Sequence, residues 1–150
     1  MACANVNAVH SRETIAPPEP LRAALIELFG PAVEQVGIVE RSWFNLLHGA
    51  PRATTRRGRI YLRGSAEEFF ADPMLVLHEY CHVLHQWEPR RLTVTRYARE
   101  CLRCGYWMNP FEIEARRFAA DNLHRLIPAM TRAGTVSLPP GSAGRPASDC

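Results

Sequence analysis

The chain contains no lysine. All 18 of its basic residues are arginine, set against 15 acidic residues, for a formal charge of +3 over 150 residues. A nucleic-acid binder concentrates its positive charge on one face; this mild excess does not, and arginine without lysine reads as coding bias. No apolar run approaches the roughly 20 residues that span a bilayer, which excludes an integral membrane protein. The first 20 residues, MACANVNAVHSRETIAPPEP, lack the basic-then-apolar order of a secretory signal. A reducing cytoplasm is therefore the expected compartment, with signal-less export left open. The cysteines are few and odd in number. Cys3, Cys81, Cys101, Cys104 and Cys150 do not make a disulfide framework in a chain of this length. No internal repeat is visible. An apolar fraction of 47% is that of one folded domain with a real core.

Local signals divide the chain into a loose arm over 1–17, a folded domain over 18–127 and a tail over 128–150. The tail is rich in Pro, Gly and Ser and reads as disordered. Within the domain, Leu21, Leu25 and Leu28 make one helical stripe that stops at Gly30-Pro31. The β-branched stretch Val36 to Val39 predicts a strand, followed by irregular chain through Trp43, Phe44, Leu46 and Leu47. Between Gly58 and Gly64, Ile60 and Leu62 alternate with arginines, which predicts a strand exposed on one face. Asp72 as cap and Pro73 as first residue open a helix over 72–87 that is apolar on nearly every side and so belongs in the middle of the domain. Helices over 93–104 and from Asn109-Pro110 to about Ile127 follow.

His78-Glu79-Tyr80-Cys81-His82 is an HExxH pentapeptide on that buried helix. Two histidines four apart point the same way and can chelate one ion. Glu79, about 100° round the helix, reaches the ion's open position without ligating it. Such an arrangement suits a zinc-bound water of lowered pKa and a carboxylate that takes its proton. With this composition roughly 0.02 chance matches are expected, and three titratable side chains on a buried helix are costly without partners. The alternative is a helix of satisfied core histidines.

Zinc needs a third protein ligand. Glu112, Glu114, His124 and His85 are available. On the helix after Pro110, Glu112 lies at the edge of the apolar stripe beside Ala115 and Ala119, whereas Glu114 points away. Helical geometry therefore favours Glu112, and the small alanines would let its helix approach the first closely. His85 lies one turn beyond His82 and reads as an ordinary helix-face histidine.

The segments HEYCHVLHQ and NPFEIEARRFA together resemble the zincin metalloproteases, and within them the glutamate-ligated group, the gluzincins. With GRIYL upstream, the pattern is also similar to small bacterial zincin-like domains. The resemblance covers about residues 34–127. It implies an α+β fold in which a small, mostly antiparallel sheet packs on the active-site helix and a second, glutamate-bearing helix. It implies one zinc held by His78, His82 and Glu112, with Glu79 as general base for peptide-bond hydrolysis. It also implies that Arg59, Ile60, Tyr61 and Leu62 form the edge strand that pairs with an extended substrate. Two features depart from the family. Arg116 stands where many relatives carry an aspartate that supports a ligand histidine, leaving Asp121 or a backbone carbonyl to support His78. There is also no substantial second lobe, so the cleft is either shallow or completed by a partner chain.

Other groups are less telling. Tyr97, Tyr106 and His124 are candidates to steady an oxyanion, against an ordinary packing role. Cys101 and Cys104 form a CxxC without the further ligands of a zinc site or the βαβ setting of a redox motif. They read as buried or partly oxidised thiols between the active-site helices, with a clamp to Cys81 as the weaker alternative. Arg56, Arg57 and Arg59 form a solvated basic loop or a preference for acidic substrates. The expected activity is zinc-dependent peptide hydrolysis on a peptide or protein substrate, with no nucleic-acid or membrane partner. The competing reading is a non-catalytic zincin-like metal-binding module with a regulatory or toxin-associated role.

Overall fold

The computed structural model describes residues 15–42 and 52–134. The expectations for the rest of the N-terminal arm, for Trp43, Phe44, Leu46 and Leu47, for Cys3 and Cys150 and for the tail from residue 135 lie outside the described residues. Helix α1 (Glu19–Phe29) starts with Pro20 in its first turn and buries Leu21 and Leu25; Gly30, at φ 83°, ends it. Ile15, assigned to the loose arm, is instead partly buried against the core. A 3-10 turn (Pro31–Gln35) leads into β1 (Gly37–Val39).

β2 (Ala53–Arg56) and β3 (Arg59–Leu62) form a two-residue hairpin. Arg57 and Gly58 at its tip both take positive φ, 43° and 74°, the twist that joins right-handed strands without splaying them. The sheet order is β1-β3-β2, with β1 parallel and β2 antiparallel to β3. The expected mostly antiparallel sheet is therefore mixed. More consequentially, β3 is central. Its backbone is hydrogen-bonded on both sides, so Arg59, Ile60, Tyr61 and Leu62 cannot receive a substrate strand. Alternation correctly identified the buried face of β3, with Ile60 and Leu62 inward, but not its neighbours.

Ser65 and Glu68 form a reciprocal capping box that starts the short α2 (Ala66–Phe70). Asp72 accepts from the Leu75 N–H at 3.0 Å and opens α3 (Pro73–Cys81). α3 passes through the core, burying Val76, Leu77 and Tyr80 completely. It then widens into a π-helical turn (His82–Trp87). α4 (Val94–Cys104), capped by Thr93, buries no residue. α5 (Pro110–Arg132), capped by Asn109, lies along α3; Ala115 and Ala119 are fully buried and keep that contact close. The domain is thus α+β, with five α-helices and a three-stranded sheet among the described residues.

α5 does not stop near Ile127. It continues through Pro128 to Arg132, although a proline inside a helix costs about 3 kcal/mol. Ala129 and Met130 beyond it are buried in the core, and burying one methionine side chain contributes about 1.5–3 kcal/mol. Tertiary packing overrides the local signal, and residues 128–134 belong to the folded domain.

Candidate metal centre

Two helices build the site. His78 and His82 stand four residues apart along α3 and the start of the π turn, and Glu112 faces them from the first turn of α5. The His78 Nε2 lies 2.9 Å from the His82 Nε2, and the two rings meet edge-on at 85°. The carboxylate of Glu112 places Oε2 3.2 Å from His78 Nε2 and Oε1 3.4 Å from His82 Nε2. One ligand atom from each residue falls within 4.8 Å of the others. Zinc with bonds of about 2.0–2.1 Å in tetrahedral geometry holds its ligand atoms roughly 3.3 Å apart. The observed triangle has that size.

Hydrogen bonding fixes which atoms carry lone pairs. The amide oxygen of Gln86 can only accept, so the contact of 2.7 Å to His82 Nδ1 is donated by the imidazole. Gln86 in turn donates its amide N–H to the Phe111 carbonyl at 3.0 Å, which fixes the orientation of the amide. His82 therefore turns its other nitrogen, Nε2, toward His78 and Glu112 as a ligand atom, the arrangement usual for metal-bound histidine. Gln86 is fully buried. It supports His82; Asp121, the expected support for His78, is exposed. The signal in the sequence was a glutamine one helical turn after His82.

The electrostatics favour a cation. Burial disfavours the charged form of Glu112, yet its hydrogen bonds to His78 and His82 win and hold its pKa well below the usual carboxylate range. Burial likewise opposes charge on His82, but hydrogen bonding to Glu112 and the charges of Glu79 and Glu112 raise its pKa. Glu112 Oε2 is buried without an aligned hydrogen bond. The donor set of two imidazoles and one carboxylate suits zinc.

Glu79 is buried and lines the same cavity, outside the ligand triangle; burial raises its pKa above that of an ordinary carboxylate. Glu114 sits elsewhere, in a two-bonded pair with Arg91 at 2.8 and 3.0 Å. His85 packs its ring against Phe29 and Phe118 at about 5 Å, and burial lowers its pKa. His124 is exposed, twelve residues beyond Glu112, about 18 Å along the helix axis, and cannot act at this site. The Tyr97 hydroxyl donates to Glu112 Oε1 at 2.8 Å, so it positions the carboxylate. Tyr106 lines the cavity. Burial and the nearby Glu112 carboxylate raise its pKa, so its phenol stays protonated and able to donate.

The cavity measures about 480 Å³ and runs between β2 and α4. β2, unrecognised in the sequence, is the strand that borders it. The Arg63 N–H donates to the Arg52 carbonyl at 3.0 Å. By the alternation of an antiparallel ladder, Thr54 and Arg56 then exchange bonds with β3, while Ala53 and Thr55 turn their backbone groups to the opposite edge. Among the described residues no strand covers that edge. The Thr54 hydroxyl and the Trp87 indole N–H, both buried in the cavity wall, also have no hydrogen-bond partner there.

Cys81, Cys101 and Cys104 are free thiols, so neither the partly oxidised CxxC nor the Cys81 clamp is present. Cys101 accepts from Asn109 Nδ2, and Cys104 donates to the Glu100 carbonyl. Both are half-buried at the end of α4. No family model, curated protein or solved structure matches the chain.

Proposed function

We propose that the chain is a zincin-type peptidase of the glutamate-ligated kind, with His78, His82 and Glu112 holding one zinc ion. The observation that carries this reading is the ligand-sized triangle closed by Glu112 from a separate helix, beside a strand edge that no strand covers among the described residues. Bound there, zinc supplies a Lewis acid that polarises the scissile carbonyl and lowers the pKa of water.

The remaining work falls to the chain itself. Ala53 and Thr55 on β2 offer backbone donors and acceptors that hold an extended peptide by strand addition. Glu79 takes a proton from the attacking water and returns it to the leaving amine. Its raised pKa suits both halves of that exchange. Tyr106 donates to the developing oxyanion. Gln86 and Tyr97 hold His82 and Glu112 in register.

The test compares the zinc-loaded parent with Glu79→Gln on a broad peptide library. The expected result is cleavage by the parent, loss of at least about 100-fold in the variant, and one zinc per chain in both. A parent that binds zinc and cleaves nothing supports the non-catalytic module instead. One zinc per chain remaining in His78→Ala would place the metal elsewhere.

A further inference from the structure

The α4 wall of the cleft has a face that hydrolysis leaves unused. At roughly 100° per residue, Tyr97, Cys101 and Cys104 turn inward, where each is half-buried. Val94, Ala98 and Leu102 recur every four residues in a stripe that starts at the cavity rim beside Cys101 and winds outward to Leu102. This stripe is apolar and open: Leu102 is 90% exposed and Val94 56%. The loop that follows adds Trp107 and Met108, 73% and 63% exposed. Large apolar side chains gathered at one end of a helix are a feature of interaction sites, unlike single exposed leucines.

Two observations identify the occupant. The surface is continuous with the cleft, since Val94, Ala98 and Tyr106 line the cavity itself. A chain leaving the β2 edge therefore crosses directly onto the stripe. The surface is also basic. Arg96, Arg99 and Arg103 follow the stripe around α4, and the Arg116 guanidinium lies 5.4 Å from the centre of the Trp107 ring. Against these four charges stand Glu100, bonded to Arg103 and Arg99, and Glu112, 3.9 Å from Arg116.

We propose that the apolar stripe running from the cavity rim to Leu102 on α4, with Trp107 and Met108, is an exosite for polypeptides that carry an acidic segment interspersed with apolar side chains next to the scissile bond. This rests on the peptidase reading of the cleft and names its substrate class. Apolar residues of the substrate seat on Leu102 and Trp107, and its carboxylates face the arginine row.

The test uses the full chain carrying Glu79→Gln, zinc-loaded, so that binding is read without cleavage. Two fluorescein-labelled 16-residue peptides serve as probes, with leucine and phenylalanine alternating with glutamate in one and with arginine in the other. Fluorescence anisotropy should give at least about tenfold tighter binding of the acidic probe, weakening with salt. Adding Leu102→Ser and Trp107→Ser should weaken that binding about fivefold or more, with melting temperature and zinc content unchanged. Arg99→Glu with Arg103→Glu should remove the preference for the acidic probe. Equal binding of the two probes overturns the proposal. So does a dimer in sedimentation that the serine variant abolishes, which gives the face to a second copy. Binding to phosphatidylglycerol vesicles that the serine variant abolishes also overturns it. If the probes behave as expected but the parent cleaves no peptide, hydrolysis falls and the exosite stands. If the parent cleaves both probes equally and the serine substitutions change nothing, the exosite falls and hydrolysis stands.

Discussion

Gln86 Oε1 accepts from His82 Nδ1 at 2.7 Å, and its own amide N–H reaches across to the Phe111 carbonyl, next in sequence to Glu112. One buried side chain thus ties the helix that carries both histidines to the helix that carries Glu112. Gln86→Ala should weaken zinc binding about 10–100-fold and cost about 1–3 kcal/mol of stability by leaving two buried groups unpaired. Gln86→Glu keeps the acceptor for His82, replaces the donor to Phe111 with a second acceptor and adds a negative charge beside His82. It should therefore recover most of the zinc affinity, as read by competition with a chromophoric chelator. Equal affinity in all three proteins would remove Gln86 from the metal site.

The two glutamates of α5 give a sharper contrast. Glu112→Ala should lower zinc affinity by more than the roughly 100-fold ceiling of an outer-shell change. Glu114→Ala breaks only a largely exposed pair with Arg91, worth about 0–1 kcal/mol, and should leave zinc binding intact. Titration of each apo variant with zinc, together with thermal melts, separates the two roles.

Tyr80 lies between the two histidines in sequence, but its ring points into the core and is fully buried. Its hydroxyl has no hydrogen-bond partner among the described residues. Tyr80→Phe removes an unsatisfied polar group whose burial costs about 1–3 kcal/mol. The variant should be as stable as the parent or more so in urea denaturation. A loss above about 1 kcal/mol would mean that the hydroxyl has a partner in solution.

Cys81 is buried, and desolvation pushes its thiol up to about 12, with the Glu114 charge adding to the effect. Folding therefore favours the neutral thiol. Its contribution to stability is complete below pH 9, the ordinary thiol value, and is lost as pH rises from there toward 12. Iodoacetamide at pH 8 should leave Cys81 unmodified in the native chain and modify it in urea, as read by peptide mass mapping. The parent should also lose stability more steeply than Cys81→Ala between pH 9 and 11.

Much of the site was legible because its signals are local. The Asp72-Pro73 and Asn109-Pro110 starts fix helix phase, and phase alone separates Glu112 from Glu114. What was not legible depends on neighbours distant in the chain. Ile60 and Leu62 announce a buried face, but nothing in their alternation says that β1 and β2 flank β3 on both sides. β2 itself is four residues with two threonines and an arginine, and Arg57-Gly58 is a weaker hairpin sign than Asn-Gly. Pro128 misled because its cost is local, whereas the burial of Met130 is tertiary. The capping box of Ser65 and Glu68 could have been found, as could Gln86, a polar residue on the inward face one turn after a ligand histidine.

The two walls of the cleft are unequal in stiffness. β2 is locked to β3 through a paired ladder, whereas α4 buries no side chain and is secured by Thr93 at one end and by the contacts of Tyr97, Cys101 and Asn109 along its inner side. Displacing α4 exposes little apolar surface, so backbone amides over 94–104 should exchange with solvent faster than those of α3. On the peptidase reading proposed above, the aperture adjusts from one side only: a bulkier chain is admitted by tilting α4, while the β2 edge stays where it is.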